Sequence, residues 1–168
     1  MLLKSRRNAW NLFIVQRHFF TMSQSFMKKE GVLFCSLSYG LDKTKLPIIP
    51  VEVEDKYLCF IIDTGSTCSL IDSNVVEYFK DIVTPAGDYN ISGIDGTKHK
   101  VYVVTLPFSF EGQSYSPKFC VKPLLEAFKD IETESGIQVY GLLGTDFLME
   151  NRWIIDLDRL QIIQRNII

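Results

Sequence analysis

The sequence lacks the features that mark several common classes of protein. It has no apolar run of about 18 residues or more, so we expect no membrane-spanning helix. No G-x-S-x-G or G-x-x-x-x-G-K-[ST] motif occurs, so there is no hydrolase nucleophile elbow or phosphate-binding loop of the usual kind. Internal repeats and low-complexity tracts are also missing. None of these patterns therefore indicates the function of the chain.

Histidine is scarce, and no two cysteines form a C-x-x-C pair. The two histidines are His18 and His99, and the four cysteines are scattered, so a zinc site is not expected. A Cys–His or Ser–His–Asp peptidase would depend on His99, which stands between Lys98 and Lys100 in a predicted exposed hairpin. We predict no metal and no cofactor. The thiols are interpreted as reduced and mostly buried, although Cys68 also admits a reading as an oxidation sensor.

Basic residues are concentrated at the start of the chain. The net charge of −2 does not fit a dedicated nucleic-acid binder. Residues 1–29 contain six basic side chains and no acid, whereas the rest carries 12 basic and 20 acidic side chains, a net charge of −8. We interpret residues 1–30 as a basic leader: a disordered tail, a targeting segment, or sequence upstream of a start at Met22 or Met27. The compartment is left open, because reduced thiols favour the cytoplasm while a basic leader points elsewhere.

The remaining residues, 31–168, are predicted to form one mainly β domain with two or three short helices. The hydrophobic fraction of 46% suffices for a core. Short apolar runs alternate with Gly, Pro and Asp, which is typical of all-β domains. Strands are predicted at residues 32–37, 48–54, 57–62, 101–106, 108–110, 115–121, 153–157 and 160–163. Short helices are predicted at residues 75–80 and 123–131 and from Thr145, with a polar loop at 132–136.

One carboxylate stands out by its position. Asp63 follows the apolar strand 57–62 and is itself followed by Thr64, Gly65 and Ser66, a sequence that forms a sharp turn. By itself such a tripeptide is more often an ordinary Asx turn than a site. Here a glycine-bearing hairpin follows at residues 92–97, and Leu142-Leu143-Gly144 precedes a helix near the C-terminus.

These motifs, in this order, resemble the retropepsin-like aspartic peptidases, which include bacterial single-lobe enzymes and the proteases of retroviruses and retrotransposons. The resemblance covers most of residues 46–163 and implies a closed β-barrel with one lobe per chain. It implies that Asp63 is the catalytic aspartate. The implied supporting residues are Thr64, Gly65 and Ser66 in the catalytic loop, Leu142, Leu143 and Gly144 crossing behind it, and a substrate-binding flap of Ser92, Gly93, Ile94, Asp95 and Gly96.

The mechanism of this class needs two carboxylates, one as a general base for water and one as a general acid. The chain has a single Asp-Thr-Gly, so we predict a homodimer whose two Asp63 side chains share one proton. We expect a polypeptide substrate and an acidic pH optimum. The Ser66 hydroxyl is predicted to donate to Asp63, and Asp146 is interpreted as a helix N-terminal acid rather than a second catalytic acid.

Two alternatives to this function stay open: a module of the same fold without efficient hydrolysis, and an unrelated β-barrel in which Asp-Thr-Gly is a coincidence. The same fold could serve as a dimerisation or peptide-binding module with little or no hydrolysis. Retroviral members typically carry Arg where Thr145 stands, so their interface network is not expected in the same form. The apolar tail, residues 160–168, either pairs with a partner chain or completes a sheet of its own chain.

Overall fold

A computed structural model of the protein describes residues 28–29, 32–92 and 96–165. The strands in these ranges are β1 Lys28–Lys29, β2 Val32–Ser36, β3 Ile48–Val53, β4 Lys56–Ile62, β5 Leu70–Asp72, β6 Thr84–Ser92, β7 Lys98–Thr105, β8 Phe108–Phe110, β9 Gln113–Tyr115, β10 Lys118–Lys122, β11 Val139–Leu143, β12 Ile154–Asp156 and β13 Gln161–Arg165. The helices are α1 Ser38–Thr44, α2 Ser73–Tyr78, α3 Lys129–Ser135 and α4 Thr145–Glu150.

The strands form two sheets, which confirms the predicted mainly β fold. The larger sheet has the order β6-β7-β10-β5-β11-β4-β3-β8-β9, and the smaller has the order β1-β2-β13-β12. Most neighbours are antiparallel, but β10 runs parallel to β5 and β11 runs parallel to β4. The larger sheet is open at β6 and β9 in the described part of the chain, and four short helices accompany the strands where two or three were predicted.

Strand β4, which delivers Asp63, is covered on both faces. Leu58, Phe60 and Ile62 belong to the main hydrophobic cluster, while Cys59 and Ile61 belong to a second cluster on the opposite face. The alternation follows from the period of two along a strand, and burial of both faces explains why the sequence here is continuously apolar. The position at which β4 ends is therefore fixed by packing on two sides.

An aromatic cluster holds α4 against the β8–β9 hairpin. The rings of Phe147 and Trp153 lie 4.9 Å apart in an edge-to-face arrangement, and Trp153 also lies 4.9 Å from Phe110. Tyr115 approaches Phe147 at 5.5 Å and Trp153 at 5.6 Å. Such pairs add to the free energy gained from burial alone. They fix the helix that begins directly after Gly144.

Several predicted boundaries differ from the structure. The predicted helix 123–131 and loop 132–136 are wrong: turns occupy residues 125–128, and α3 spans Lys129–Ser135 and ends at Gly136 with a positive φ of 74°. The predicted strand 115–121 is interrupted at residues 116–117, where the Pro117 nitrogen has no proton to donate to a sheet. Helix α1 was not predicted, because Gly40 and a short, irregular apolar pattern hide it.

The C-terminal strand is an inner strand of its sheet. Strand β13 pairs with β2 on one side and with β12 on the other. Of the two alternatives for the tail, the described residues thus follow the one in which the strand completes a sheet of its own chain. Residues 166–168 lie outside the described ranges, as does the predicted leader apart from residues 28 and 29.

None of the helices in the described ranges has the length and apolar character needed to cross a membrane.

Asp72 links three parts of the chain through a fully buried carboxylate. Its Oδ1 accepts hydrogen bonds from the backbone and side chain of Asn74 at 2.7 and 2.9 Å, which caps α2. Its Oδ2 accepts from the amides of Leu124 and Leu125 at 2.6 and 3.0 Å. A buried carboxylate with both oxygens satisfied in this way holds the segment after β10 against the start of α2.

We expect Asp72→Asn to lower the free energy of unfolding by about 2–4 kcal/mol, because an amide can accept on one side only and leaves buried donors unpaired on the other. The measurement is urea unfolding followed by circular dichroism. Asp81→Asn is the matched control, since Asp81 is exposed and its change should stay within about 0.5 kcal/mol. Equal stability of the two variants would contradict the role assigned to Asp72.

Candidate active site

Asp63 is the first residue after β4, and the neighbouring strand anchors its backbone. The amide of Asp63 donates to the carbonyl of Leu143 at 3.0 Å. Leu143, at the end of β11, is fully buried and pairs with Ile62. The side chain of Asp63 is partly exposed. A carboxylate on a rigid backbone is thus offered to solvent at the edge of the core.

The loop turns sharply directly after Asp63. The amide of Gly65 donates to Asp63 Oδ1 at 2.9 Å, and the amide of Ser66 donates to the carbonyl of Asp63 at 3.2 Å. A Cβ at position 65 would lie 3.1 Å from Asp63 Oδ1, which is tighter than an ordinary contact. A Cβ at this position would crowd the carboxylate, so glycine leaves space beside it, and the loop amide fixes how the carboxylate is oriented.

Ser66 supports the loop in a different way from the one predicted. Its hydroxyl donates to the carbonyl of Cys68 at 2.7 Å. A hydroxyl has one proton to donate, so the predicted hydrogen bond from Ser66 to Asp63 is not formed. The carbonyl of Ser66 accepts hydrogen bonds from both the amide and the hydroxyl of Thr145, at 2.9 and 3.1 Å. The serine is a link between the loop and α4.

Topology explains why a glycine follows Leu143. Strand β11 lies between β4 and β5, so the loop that connects β4 to β5, residues 63–69, must pass over the end of β11. That end is Gly144. A Cβ there would lie 2.8 Å from the carbonyl carbon and oxygen of Cys68 and 2.9 Å from the carbonyl oxygen of Ser66. The structure thus brings the predicted loop and the predicted bracing segment, Leu142 to Gly144, into direct contact.

A second link between these segments was missed from the sequence. Asp146 accepts from the hydroxyl of Ser69 at 2.8 Å through Oδ1 and from the amide of Ser69 at 3.0 Å through Oδ2. The Ser69 hydroxyl in turn accepts from the amide of Gly144 at 3.0 Å. Asp146 does lie in the first turn of α4, as predicted. The only sequence signal for its partner was a polar residue, Ser69, beside an apolar strand.

Thr64 and the flap residues stand apart from this network. Thr64 is exposed beside Asp63. Strands β6 and β7 form the predicted hairpin, with Ser92 paired to Lys98, so the connection spans residues 93–97 instead of a two-residue turn at Asp95-Gly96. Gly96 is exposed and has a positive φ of 76°. The predicted flap residues Gly93, Ile94 and Asp95 lie outside the described residues.

Cys68 and Cys120 lie next to each other at the far end of the loop. The hydrogen bond from Cys120 lowers the pKa of Cys68 to about 7 and the charge of Lys122 acts in the same direction, while partial burial and the charge of Asp146 oppose them. The same contact and burial raise the pKa of Cys120. Cys59, by contrast, is fully buried in β4, and burial raises its pKa to about 12.

No cluster of three or more His, Cys, Asp or Glu side chains suited to a metal ion exists among the residues that the structure describes. In the described part of the chain, the site brings together one oriented carboxylate, its loop and the elements that fasten the loop.

Comparison with known proteins identifies the fold and the family. The sequence model of the aspartyl protease family matches residues 49–147, which is more than half of the chain. A retropepsin-like aspartic protease from Rickettsia conorii superposes with a TM-score of 0.52 at 16% identity, covering 84% of this chain and 96% of that one. This likeness confirms the predicted retropepsin-like fold.

Two viral structures are also similar. The protease of EIAV in complex with an inhibitor has a TM-score of 0.43 at 20% identity, covering 64% of this chain and 88% of that one. The foamy viral protease–reverse transcriptase has a TM-score of 0.44 at 18% identity, covering 62% of this chain, which matches only 12% of the viral chain. A comparison with curated proteins returned no match. On the family match and the fold, the chain belongs to the aspartyl protease family and has the retropepsin-like fold.

Proposed function

We propose that the chain is an aspartic endopeptidase that hydrolyses peptide bonds with a pair of Asp63 carboxylates, one from each subunit of a homodimer. The observation that carries this proposal is the setting of Asp63. Its side chain is partly exposed at the end of a buried strand, while its backbone and carboxylate are held by Leu143 and Gly65. A carboxylate oriented before substrate arrives is what general acid–base catalysis requires.

The second carboxylate comes from a second copy of the chain. Asp-Thr-Gly occurs once in the sequence, and Thr64 and Gly65 are exposed beside Asp63. A two-fold axis near this loop would bring the two Asp63 side chains together, as an isologous dimer requires. Two such carboxylates cannot both ionise cheaply and would share one proton, so one acts as base and the other as acid. This chemistry uses no metal and no cofactor.

The supporting residues act on Asp63 through the loop. Gly65 orients the carboxylate, Ser66 fastens the loop to α4, and Thr64 faces the proposed partner. Leu142, Leu143 and Gly144 form the floor on which the loop lies. All three of these floor residues are buried. The loop therefore packs on a rigid part of the core, which would keep its position when substrate binds.

The substrate is a polypeptide bound in extended form. The β6–β7 hairpin, with the predicted flap at residues 92–96 at its tip, would close over it and exclude water. Main-chain groups of the hairpin and the floor would bind it as an added strand. In this proposal residues 31–168 are the catalytic domain, and the leader takes no part in the chemistry.

One exposed apolar side chain lies on the helix that fastens the Asp63 loop. Thr145 contacts Ser66, and Met149 lies four residues later, one turn along the same face of α4. The side chain of Met149 is 77% exposed, the highest value among the large apolar residues of the described part of the chain. We infer that Met149 contacts the second subunit beside the Asp63 loops.

Asp63→Asn should abolish peptide cleavage while leaving the fold and the dimer intact, because an amide cannot act as the general base. The measurement is cleavage of an unbiased peptide library between about pH 3 and pH 7. Wild-type activity should be highest on the acidic side and blocked by a statine-type inhibitor. Asp81→Asn, an exposed carboxylate outside the site, controls for the loss of one negative charge.

Residual cleavage by Asp63→Asn would refute the assignment of Asp63. A wild-type dimer that binds peptides without cutting any of them would instead support the peptide-binding alternative. Ser66→Ala should leave the pH profile unshifted, because the Ser66 hydroxyl is used by Cys68 and not by Asp63.

Asp146→Asn should lower kcat by about 3- to 10-fold with a smaller change in KM, because Asp146 positions the loop and does not touch substrate. The amide removes one of the two acceptors used by Ser69, so unfolding should also become easier by about 1 kcal/mol. Steady-state kinetics and urea unfolding give the two readouts. Glu150→Gln, exposed in the same helix, is the control, and a KM effect as large as the kcat effect would contradict the positioning role.

Met149→Glu should weaken the dimer by at least about tenfold in Kd, because each subunit would lose an apolar contact and gain a charge in the proposed interface. Sedimentation equilibrium measures this directly. Activity per subunit should then fall at low protein concentration and recover at high concentration. Met149→Leu, which keeps the apolar contact, should behave as wild type. If Met149→Glu associates as tightly as the wild type, α4 is not part of the interface.

A further inference from the structure

Two cysteines meet at the point where the Asp63 loop rejoins the sheet. Cys68 lies in the loop just before β5 and is partly exposed, whereas Cys120 lies in β10 and is 4% exposed. Strand β10 runs parallel to β5, and the amide of Cys120 donates to the carbonyl of Ser69 at 2.9 Å. The parallel pairing thus places a β10 side chain beside the loop, and Cys68 packs against the buried cluster that contains Cys120.

The surroundings of the two thiols differ from those of a packed core cysteine. Val101, Val103 and Cys120 form a small buried cluster, and Cys68 closes it on the solvent side. Peroxide can therefore reach Cys68 from solvent, while Cys120 is buried in the cluster against which Cys68 packs. A thiol that gives up its proton readily, is accessible and has a neighbouring thiol is the arrangement found in redox-sensing cysteines.

We propose that Cys68 and Cys120 are an oxidisable dithiol, which peroxide converts to a disulfide that displaces the Asp63 loop and lowers activity. The formation of the disulfide is independent of the function proposed above, whereas its effect on activity rests on that function. The sequence favoured a packed thiol at Cys68. The position of Cys120 in the fold is what changes this interpretation.

The reaction balances with hydrogen peroxide as the oxidant. The Cys68 thiolate attacks one peroxide oxygen, the O–O bond breaks, and Cys68 becomes a sulfenic acid while hydroxide leaves and takes up a proton as water. The Cys120 sulfur then attacks the Cys68 sulfur, the S–O bond breaks, and the Cys120 proton leaves with the hydroxyl as a second water. Two thiols and one peroxide give one disulfide and two waters, and a dithiol reductant reverses the change.

The backbone at Cys68 transmits the change to the site. A disulfide holds its two sulfurs about 2 Å apart, closer than two separate thiols can approach, so Cys68 must move towards β10. Its carbonyl accepts the Ser66 hydroxyl and lies against Gly144, where there is no free space. Movement of Cys68 therefore breaks or strains the contacts that fasten the loop five residues after Asp63.

The first test is peptide mapping under non-reducing conditions. The full-length, reduced protein is treated with graded hydrogen peroxide, alkylated and digested. We expect a crosslink between the peptides of Cys68 and Cys120, which dithiothreitol removes and which neither Cys68→Ser nor Cys120→Ser forms. Cys59→Ala is the matched control and should still form it. A sulfenic acid that persists on Cys68, a crosslink to Cys35, or two thiols that stay unmodified would each overturn the proposal.

The second test measures the consequence. Amide hydrogen exchange in residues 63–69 should rise on oxidation, and the kcat/KM for peptide cleavage should fall at least about tenfold and recover with dithiothreitol. Cys120→Ser under the same peroxide should not show this paired, reversible loss. A disulfide that forms while exchange and cleavage stay unchanged would refute the regulatory role. If the reduced protein cleaves nothing, the proposed function fails, and crosslinking and hydrogen exchange still decide the switch.

Discussion

The crossing of the Asp63 loop over the end of β11 is the constraint on which the rest of the site depends. Because β11 is inserted between β4 and β5, the chain after β4 has to pass over β11 before it can enter β5. Only a residue without a side chain fits below the crossing, and Gly144 supplies it. The loop cannot lift without breaking the hydrogen bonds of Ser66 and Ser69 to α4, so the position of Asp63 is determined by sheet topology and not by the loop alone.

The hydrophobic core supports this crossing from below. Phe60 of β4 packs against Phe119 of β10 with ring centroids 5.5 Å apart, and Gly141 of β11 is so close to Phe60 that a Cβ would lie 2.7 Å from its ring. The same ring thus fixes the spacing of three strands of the larger sheet. Interiors packed at this density resist small displacements. A shift of the Asp63 loop would therefore cost packing energy as well as hydrogen bonds.

Apart from the crossing of Leu142 to Gly144 behind the loop, which the family resemblance implied, the sequence predicted local features and missed remote contacts. The turn after Asp63 was recognisable because a strand, an acid, a glycine and a hydroxyl are adjacent in the chain. The link from Asp146 to Ser69 spans 77 residues, and neither segment carries a sequence pattern that predicts contact with the other. The predicted acceptor of the Ser66 hydroxyl was wrong for a related reason. The sequence offers both Asp63 and the Cys68 carbonyl nearby, and only the folded loop selects the carbonyl. Strand β10 likewise had to be placed before Cys120 could be a neighbour of Cys68.

The Asp63 loop packs against its own chain on one side and is exposed to solvent on the other. Towards α4 and β11 every contact is made within the chain, by glycines, hydroxyls and a carboxylate that match one another. On the other side Thr64 and Gly65 are exposed. A catalytic carboxylate with solvent on one side lacks the low-dielectric surroundings in which electrostatic stabilisation is strong. In the proposed dimer the second subunit supplies both the missing carboxylate and that shielding, so association and catalytic competence would arise from the same contact.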